Sequence, residues 1–186
     1  MQVLREAQTT NPQIQAYRDQ YSFDPLHRLS QVSVETRKKE MKPKLFRANV
    51  KFMDGIYSGQ FSESPLLPDG YGIFMQNKSG AVYEGERRKG LRSGHGRLIQ
   101  DNGLIYEGQW SENKPHGFGC VRYPPKPGDA KCDVFSGIFV MSSRMDSGTL
   151  FEQQNRKLYH GIWTNNKLSE RVFVKYPDGL VKLEYF

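Results

Sequence analysis

The sequence predicts an all-β repeat array: about five consecutive antiparallel β-hairpins, preceded by a partly helical N-terminal arm. Three observations point there. All 18 glycines lie at Gly55 or later, so the composition changes abruptly at that point. Beyond it an aromatic-x-Gly motif recurs, starting at 57, 83, 106, 135 and 159, with spacings of 26, 23, 29 and 24 residues. Turn dipeptides punctuate the units: Asp54-Gly55, Ser79-Gly80, Asn102-Gly103 and Asp178-Gly179. Such pairs accept positive φ and are strong hairpin cues.

Residues 1–54 form the arm. Asn11 followed by Pro12 reads as an N-cap with proline at the first helical position. Ile14, Tyr17 and Tyr21 then recur at helical spacing, and a second start at Asp24-Pro25 leads into Leu26, Leu29 and Val32. The basic run RKKEMKPK at 37–44 carries a helix-stopping Pro43. Isolated helices shorter than about 12–15 residues are marginal in water, so these pieces need a surface to lie on. Ile14, Tyr17, Tyr21, Leu26 and Leu29 are the residues expected to dock, and a partner polypeptide is the expected surface. FRANVKF at 46–52 reads as a terminal strand, as does VKLEYF at the other end.

Residues 55–186 carry the repeat. The anchors are YSGQF (Tyr57, Gly59, Phe61), YEGER (Tyr83, Gly85, Arg87), YEGQW (Tyr106, Gly108, Trp110), FSGIF (Phe135, Gly137, Phe139) and YHGIW (Tyr159, Gly161, Trp163). A second glycine follows 13 residues after three of them, at Gly96, Gly119 and Gly148; Gly72 joins this set if two inserted residues are allowed. Two residues further on comes an apolar side chain: Phe74, Leu98, Val121 or Leu150. Each unit therefore reads as two short strands joined by a polar loop. Alternation places Tyr106, Gly108 and Trp110 on one face of their strand, and their counterparts likewise. A glycine between two large aromatics on a buried face leaves a trough that a neighbouring ring can fill.

This pattern resembles the MORN (membrane occupation and recognition nexus) repeat: Tyr-x-Gly-x-Trp, a short loop, Gly-x-Gly, an apolar pair and Asp-Gly. YEGQW, NKPHGFG and CVRY follow it nearly completely, and the unit at 83–105 follows it except that Arg87 replaces the second aromatic. The resemblance spans 57–186, specific in the two central units and degenerate outside them. The fourth unit lacks the first glycine of Gly-x-Gly, and the fifth has Glu170 and Val172 in place of both. The insertion PPKPGDAKC precedes Phe135. The resemblance implies an elongated, twisted sheet with one hairpin per repeat. It also implies a non-catalytic scaffold subunit of a large eukaryotic assembly, cytoskeletal or ciliary axonemal (radial-spoke-like) and hence cytoplasmic. An accessory subunit of a mitochondrial complex is the second setting.

The net charge of +7 and a pI near 9.4 favour an acidic partner. The sharpest basic cluster is Arg87, Arg88, Lys89 and Arg92, with Arg97 nearby. It reads either as a contact for anionic lipid or an acidic protein face, or as a solvated hairpin loop. Nucleic acid is disfavoured, because the aromatics fall at buried-face positions where bases cannot stack. No catalytic constellation stands out: His95, His116 and His160 occupy different repeat positions. Neither a cofactor nor a metal is expected. Cys120 and Cys132 form no CxxC motif and read as free thiols, a disulfide between them being the other reading. No apolar run approaches the roughly 20 residues of a membrane span, and MQVLREAQTT lacks the features of a secretory signal, so the expectation is a soluble intracellular protein.

Overall fold

The structure, a computed structural model, describes residues 44–125 and 132–186. The helices expected around Ile14, Tyr17, Tyr21, Leu26 and Leu29 lie outside the described residues, as does most of the insertion before Phe135. Every element among the described residues is a β-strand. The described residues divide into two compact units, the first ending at Gly103 and the second running from Leu104 to Phe186.

The first unit contains β1 (Leu45–Phe52), β2 (Gly55–Phe61), β3 (Pro68–Gln76), β4 (Val82–Arg88) and β5 (Leu91–Ile99). Each strand pairs antiparallel with the next. The strand expected over 46–52 is β1, so the sheet begins ahead of the glycine boundary at Gly55. The second unit contains β6 (Ile105–Ser111), β7 (Lys114–Arg122), β8 (Val134–Val140), β9 (Ser143–Glu152), β10 (Lys157–Thr164), β11 (Lys167–Lys175) and β12 (Val181–Tyr185), again an antiparallel meander. The five anchors lie on β2, β4, β6, β8 and β10, each the first strand of its hairpin.

The turns inside four of the five hairpins follow one pattern, β2 and β3 being joined instead by the longer loop 62–67. Lys89-Gly90, Glu112-Asn113, Met141-Ser142 and Asn165-Asn166 all have positive φ at both central residues, from 48° to 83°. These are two-residue turns whose twist matches that of the flanking strands. The Asp-Gly and Ser-Gly cues instead mark the ends of repeats. At Asp178-Gly179, the Gly179 amide donates to the Tyr176 carbonyl at 3.0 Å, which closes the bend before β12.

One face carries the rings. Tyr57, Phe61 and Tyr83 are buried in the first unit, and Tyr106, Trp110, Phe135, Phe139, Trp163, Val172 and Val174 in the second. The paired glycines form rows across the strands between them. In the first unit the row is Gly59, Gly72, Gly85 and Gly96; in the second it is Gly108, Gly119, Gly137, Gly148 and Gly161.

Candidate interaction surface and the residues that shape it

The repeat is held by three devices. The first is the seat of the anchor ring. The Tyr106 ring lies across Gly119 on the neighbouring strand, so that a Cβ there would meet the hydroxyl oxygen at 2.5 Å and ring carbons at 2.7 Å. Tyr57 covers Gly72, Tyr83 covers Gly96 and Phe135 covers Gly148 in the same way. The tyrosine hydroxyl then donates to the carbonyl three residues on: Tyr57 to Gln60 at 3.2 Å, Tyr83 to Glu86 at 2.7 Å and Tyr106 to Gln109 at 2.7 Å. Burial pushes all three phenols well above the ordinary tyrosine range.

The second device is a bulge. Past each paired glycine the register slips, and in four hairpins one residue of the first strand (Gln60, Glu86, Gln109 or Ile162) faces three of the second. The first glycine of Gly-x-Gly supplies the left-handed conformation the bulge requires, as at Gly94 (φ 62°) and Gly117 (φ 87°). In the fourth hairpin Asp146 takes that role with φ 57°, a conformation its short polar side chain tolerates. The bulge would leave a backbone amide without a strand partner. In three of them the facing side chain accepts it: Gln60 from Tyr71 at 2.9 Å, Glu86 from His95 at 3.0 Å and Gln109 from Phe118 at 2.7 Å. Sequence reasoning passed over Gln60, Glu86 and Gln109. The signal was a carbonyl-bearing side chain at the fourth anchor position in three units.

The third device is the ring ladder. In the second unit, edge-on contacts run from Trp110 to Tyr106, Phe139, Phe135 and Trp163, with centroids 4.9 to 5.4 Å apart. Each anchor ring is thus flanked by the second aromatic of its own hairpin's motif and that of the next. Arg144 caps the far end, its guanidinium 4.3 Å from the Trp163 centroid. Hairpins also clasp through their turns. The Ser142 amide donates to the Pro115 carbonyl at 2.8 Å and Asn166 to Arg144 at 3.1 Å, as Gly90 does to Pro68 at 2.7 Å in the first unit.

The structure corrects the reading of Arg87 as a surface cation. It is 6% exposed. Its guanidinium lies 5.1 to 5.6 Å from the ring centroids of Phe52, Tyr57, Phe74 and Tyr83. Nη1 donates to the Gly90 carbonyl at 2.7 Å, while the buried Nε has no partner. Alternation on β4 fixes the outcome, because Arg87 shares the face of Tyr83 and Gly85. The planar, weakly hydrated guanidinium fills the place of a ring. Burial lowers its pKa, and the neighbouring Arg92 charge adds to this. Arg92 is partly buried, with its guanidinium 5.7 Å from the Tyr83 centroid.

Arg88 and Lys89 are exposed at the tip of this hairpin. Asp69 lies beside them, accepting the Lys89 backbone amide at 3.1 Å and pairing with Lys44. Burial alone would raise the Asp69 pKa, but the Lys44 hydrogen bond, the Lys89 amide and the Arg88 charge together hold it below the ordinary value. Part of the loop's positive charge is therefore already answered from within the unit.

On the opposite face of the second unit, alternation places Phe118, Ile162 and Phe173, which are 51 to 59% exposed. Among the described residues no helix is long and apolar enough to cross a membrane, and no cluster of three His, Cys, Asp or Glu side chains could hold a metal. Cys120 and Cys132 are free thiols.

Residues 83–105, which hold β4 and β5 and the link that follows, and 106–125, which hold β6 and β7, match the family model described as the MORN repeat. Alsin from Homo sapiens and alsin from Rattus norvegicus are each 29% identical to this chain over 151 residues, which is 78% of this chain. The chain spans about a tenth of the length of those relatives, the aligned part being 9% of alsin. MORN repeat-containing protein 3 from Xenopus laevis is 33% identical over 76 residues, covering 38% of this chain and 31% of that protein. Two MORN repeats are thus present at 83–105 and 106–125, and the same glycine pairing continues on either side of them.

Proposed function

We propose that this chain is a non-catalytic scaffold subunit that binds other proteins through the face of its repeat hairpins opposite the rings. The observation that carries the reading is how the motif residues are used. Anchor rings, paired glycines, bulge carbonyls and Arg87 are all engaged in packing, whereas Phe118, Ile162 and Phe173 stand half exposed on the other face. Exposed aromatic and aliphatic side chains on a rigid sheet are what a protein partner buries. By analogy with other MORN-repeat proteins, the assembly we favour is cytoskeletal or ciliary axonemal, placing the chain in the cytoplasm; a mitochondrial complex is the second setting.

The test is affinity purification of the full chain with mass spectrometry, beside a Phe118→Asp/Phe173→Asp variant. Specific partners that the variant loses support the reading. Partners retained undiminished by a folded variant would move the interface elsewhere.

A membrane adaptor is the second reading, and Arg88 and Lys89, exposed on one hairpin tip, favour it. Flotation of the full chain with phosphoinositide vesicles, abolished by Arg88→Ala/Lys89→Ala, would establish it over the scaffold. Arg87 is left unchanged in that test, because it is buried.

A further inference from the structure

The sheet of the second unit ends in a strand whose outer edge is bare. β12 is the last strand of the meander, and among the described residues no strand lies against its far side. The other bordering strand, β1 of the first unit, is interrupted: its register slips between Arg47 and Val50, where Asn49 has φ 55°. A bulge of this kind turns an edge away from further pairing. β12 carries no such break. Its five residues pair with β11 from Arg171↔Tyr185 to Lys175↔Val181 without a slip.

Two hydrogen bonds set the phase of that edge. The Phe186 amide donates to the Glu170 carbonyl, and the Tyr176 amide donates to the Leu180 carbonyl, both at 2.8 Å. In an antiparallel pair a residue's amide and carbonyl point the same way, and the direction alternates along the strand. Leu180, Lys182, Glu184 and Phe186 therefore turn theirs toward β11, and Val181, Leu183 and Tyr185 turn theirs outward. The side chains of these three share the face of Phe173, which pairs with Leu183. Val181 and Tyr185 are 56% and 72% exposed. Lys182 and Glu184 lie on the other face.

We infer that β12 is a self-pairing edge, which takes as its partner β12 of a second copy of this chain, antiparallel about Leu183. The sequence VKLEY is complementary to itself in that register. Leu183 meets Leu183 of the second copy in a hydrogen-bonded pair, and Val181 meets Tyr185 in both directions, so every outward amide and carbonyl finds a partner. Lys182 faces Glu184 of the second copy, and Glu184 faces its Lys182. Within its own chain Glu184 accepts the Tyr176 hydroxyl on one carboxylate oxygen, which leaves the other for the incoming ammonium. Centring the pair on Lys182 or on Glu184 instead would set like charges directly opposite each other. On the other face Phe173, Leu183 and their counterparts form one apolar row across two strands of each copy. Strand addition draws affinity from main-chain bonds and specificity from alternate side chains. A two-fold pair of this kind closes on itself, so assembly stops at a dimer. The inference rests on the edge strand and does not depend on the scaffold reading.

Two measurements on the full chain test this. The first is sedimentation equilibrium. At roughly 100 μM, about a hundredfold above a micromolar Kd, the chain is expected to be a dimer. Lys182→Glu and Glu184→Lys each turn both attractive contacts into repulsive ones, and each is expected to weaken the dimer at least about tenfold. Mixing the two variants in equal amounts sets Glu against Lys at every contact and is expected to restore a dimer containing one of each. A defect confined to the fold of either variant would not be repaired by mixing. A monomer at that concentration, a dimer that both variants leave intact, or variants that stay monomeric when mixed would overturn the inference. The second measurement needs no substitution: isotope-labelled and unlabelled chains are mixed, coupled with a carbodiimide and digested for mass spectrometry. Amide links between Lys182 of one isotope and Glu184 of the other are expected. Links between copies that join β12 to β1, or that leave β12 out, would refute it.

Discussion

The guanidinium of Arg87 lies 5.2 Å from the ring centroid of Tyr83 and 5.6 Å from that of Tyr57, the place that Phe139 holds between Phe135 and Tyr106 in the other unit. A charge therefore completes a ladder otherwise made of rings. Cation–π attraction of about 0.5–2 kcal/mol per contact supports it, and desolvation works against it. Arg87→Phe is expected to leave stability unchanged or raise it by about 1–2 kcal/mol, because an aromatic fits the slot and no buried Nε is left unpaired. Arg87→Ala is expected to cost about 2–4 kcal/mol by opening the ladder. Urea unfolding of the three proteins decides this; a phenylalanine variant as weak as the alanine one would mean that the charge itself is needed.

Two glycines of the same row should respond unequally to alanine. At Gly119 the new Cβ would lie 2.5 Å from the Tyr106 hydroxyl, whose ring is wedged between Trp110 and Phe139 and cannot retreat. At Gly161 the nearest atom is the flexible Leu168 Cδ1 at 3.1 Å. Gly119→Ala is expected to cost about 1–3 kcal/mol, and Gly161→Ala to fall within about 0.5 kcal/mol of the parent. Thermal unfolding compares them, and similar losses at both sites would discount the ring as the reason for glycine.

The side chain of Gln109 holds the Phe118 amide at the bulge. Gln109→Leu removes the acceptor while keeping the bulk of the side chain. The Phe118 amide is expected to exchange with deuterium markedly faster, with a stability loss of about 0.5–1.5 kcal/mol. Unchanged exchange at that amide would show that the strand ladder protects it without help.

The hairpins were legible because alternation leaves little freedom: an aromatic, a glycine and an aromatic two residues apart must share a face. The Asp-Gly and Ser-Gly pairs announced the ends of repeats. The turn at Met141-Ser142 was not legible, since neither residue favours positive φ; the ladder on both sides and the Ser142–Pro115 hydrogen bond impose it. Arg87 was misread because its residue type outweighed its position. The same alternation that assigned Phe139 and Trp110 to the ring face assigns Arg87 there too. Gln60, Glu86 and Gln109 escaped notice because their partners exist only once the bulge has formed, and a bulge is a property of two strands. The exposure of Phe118, Ile162 and Phe173 on the face opposite the rings required strand parity across two register slips.

The buried phenols of Tyr57, Tyr83 and Tyr106 make stability fall at alkaline pH. Burial holds each in its neutral form to a pH well above the ordinary tyrosine value of about 10. In the unfolded chain they ionise near that value, so above it the unfolded state has released protons that the folded state retains. A group whose folded pKa is raised contributes fully below its unfolded pKa, and that contribution is lost as pH rises further. Stability is therefore expected to be insensitive to these groups below about pH 9. Above pH 10 each phenol still protonated in the fold should reduce it by up to about 1.4 kcal/mol per pH unit. Tyr106→Phe lowers stability at neutral pH by about 1 kcal/mol through the lost bond to the Gln109 carbonyl. It should also shallow the alkaline slope, because one of the three titrating groups is gone. Unfolding free energies between pH 8 and 11 for the parent and the variant measure both effects; parallel slopes would show that the Tyr106 phenol ionises as readily in the fold as out of it.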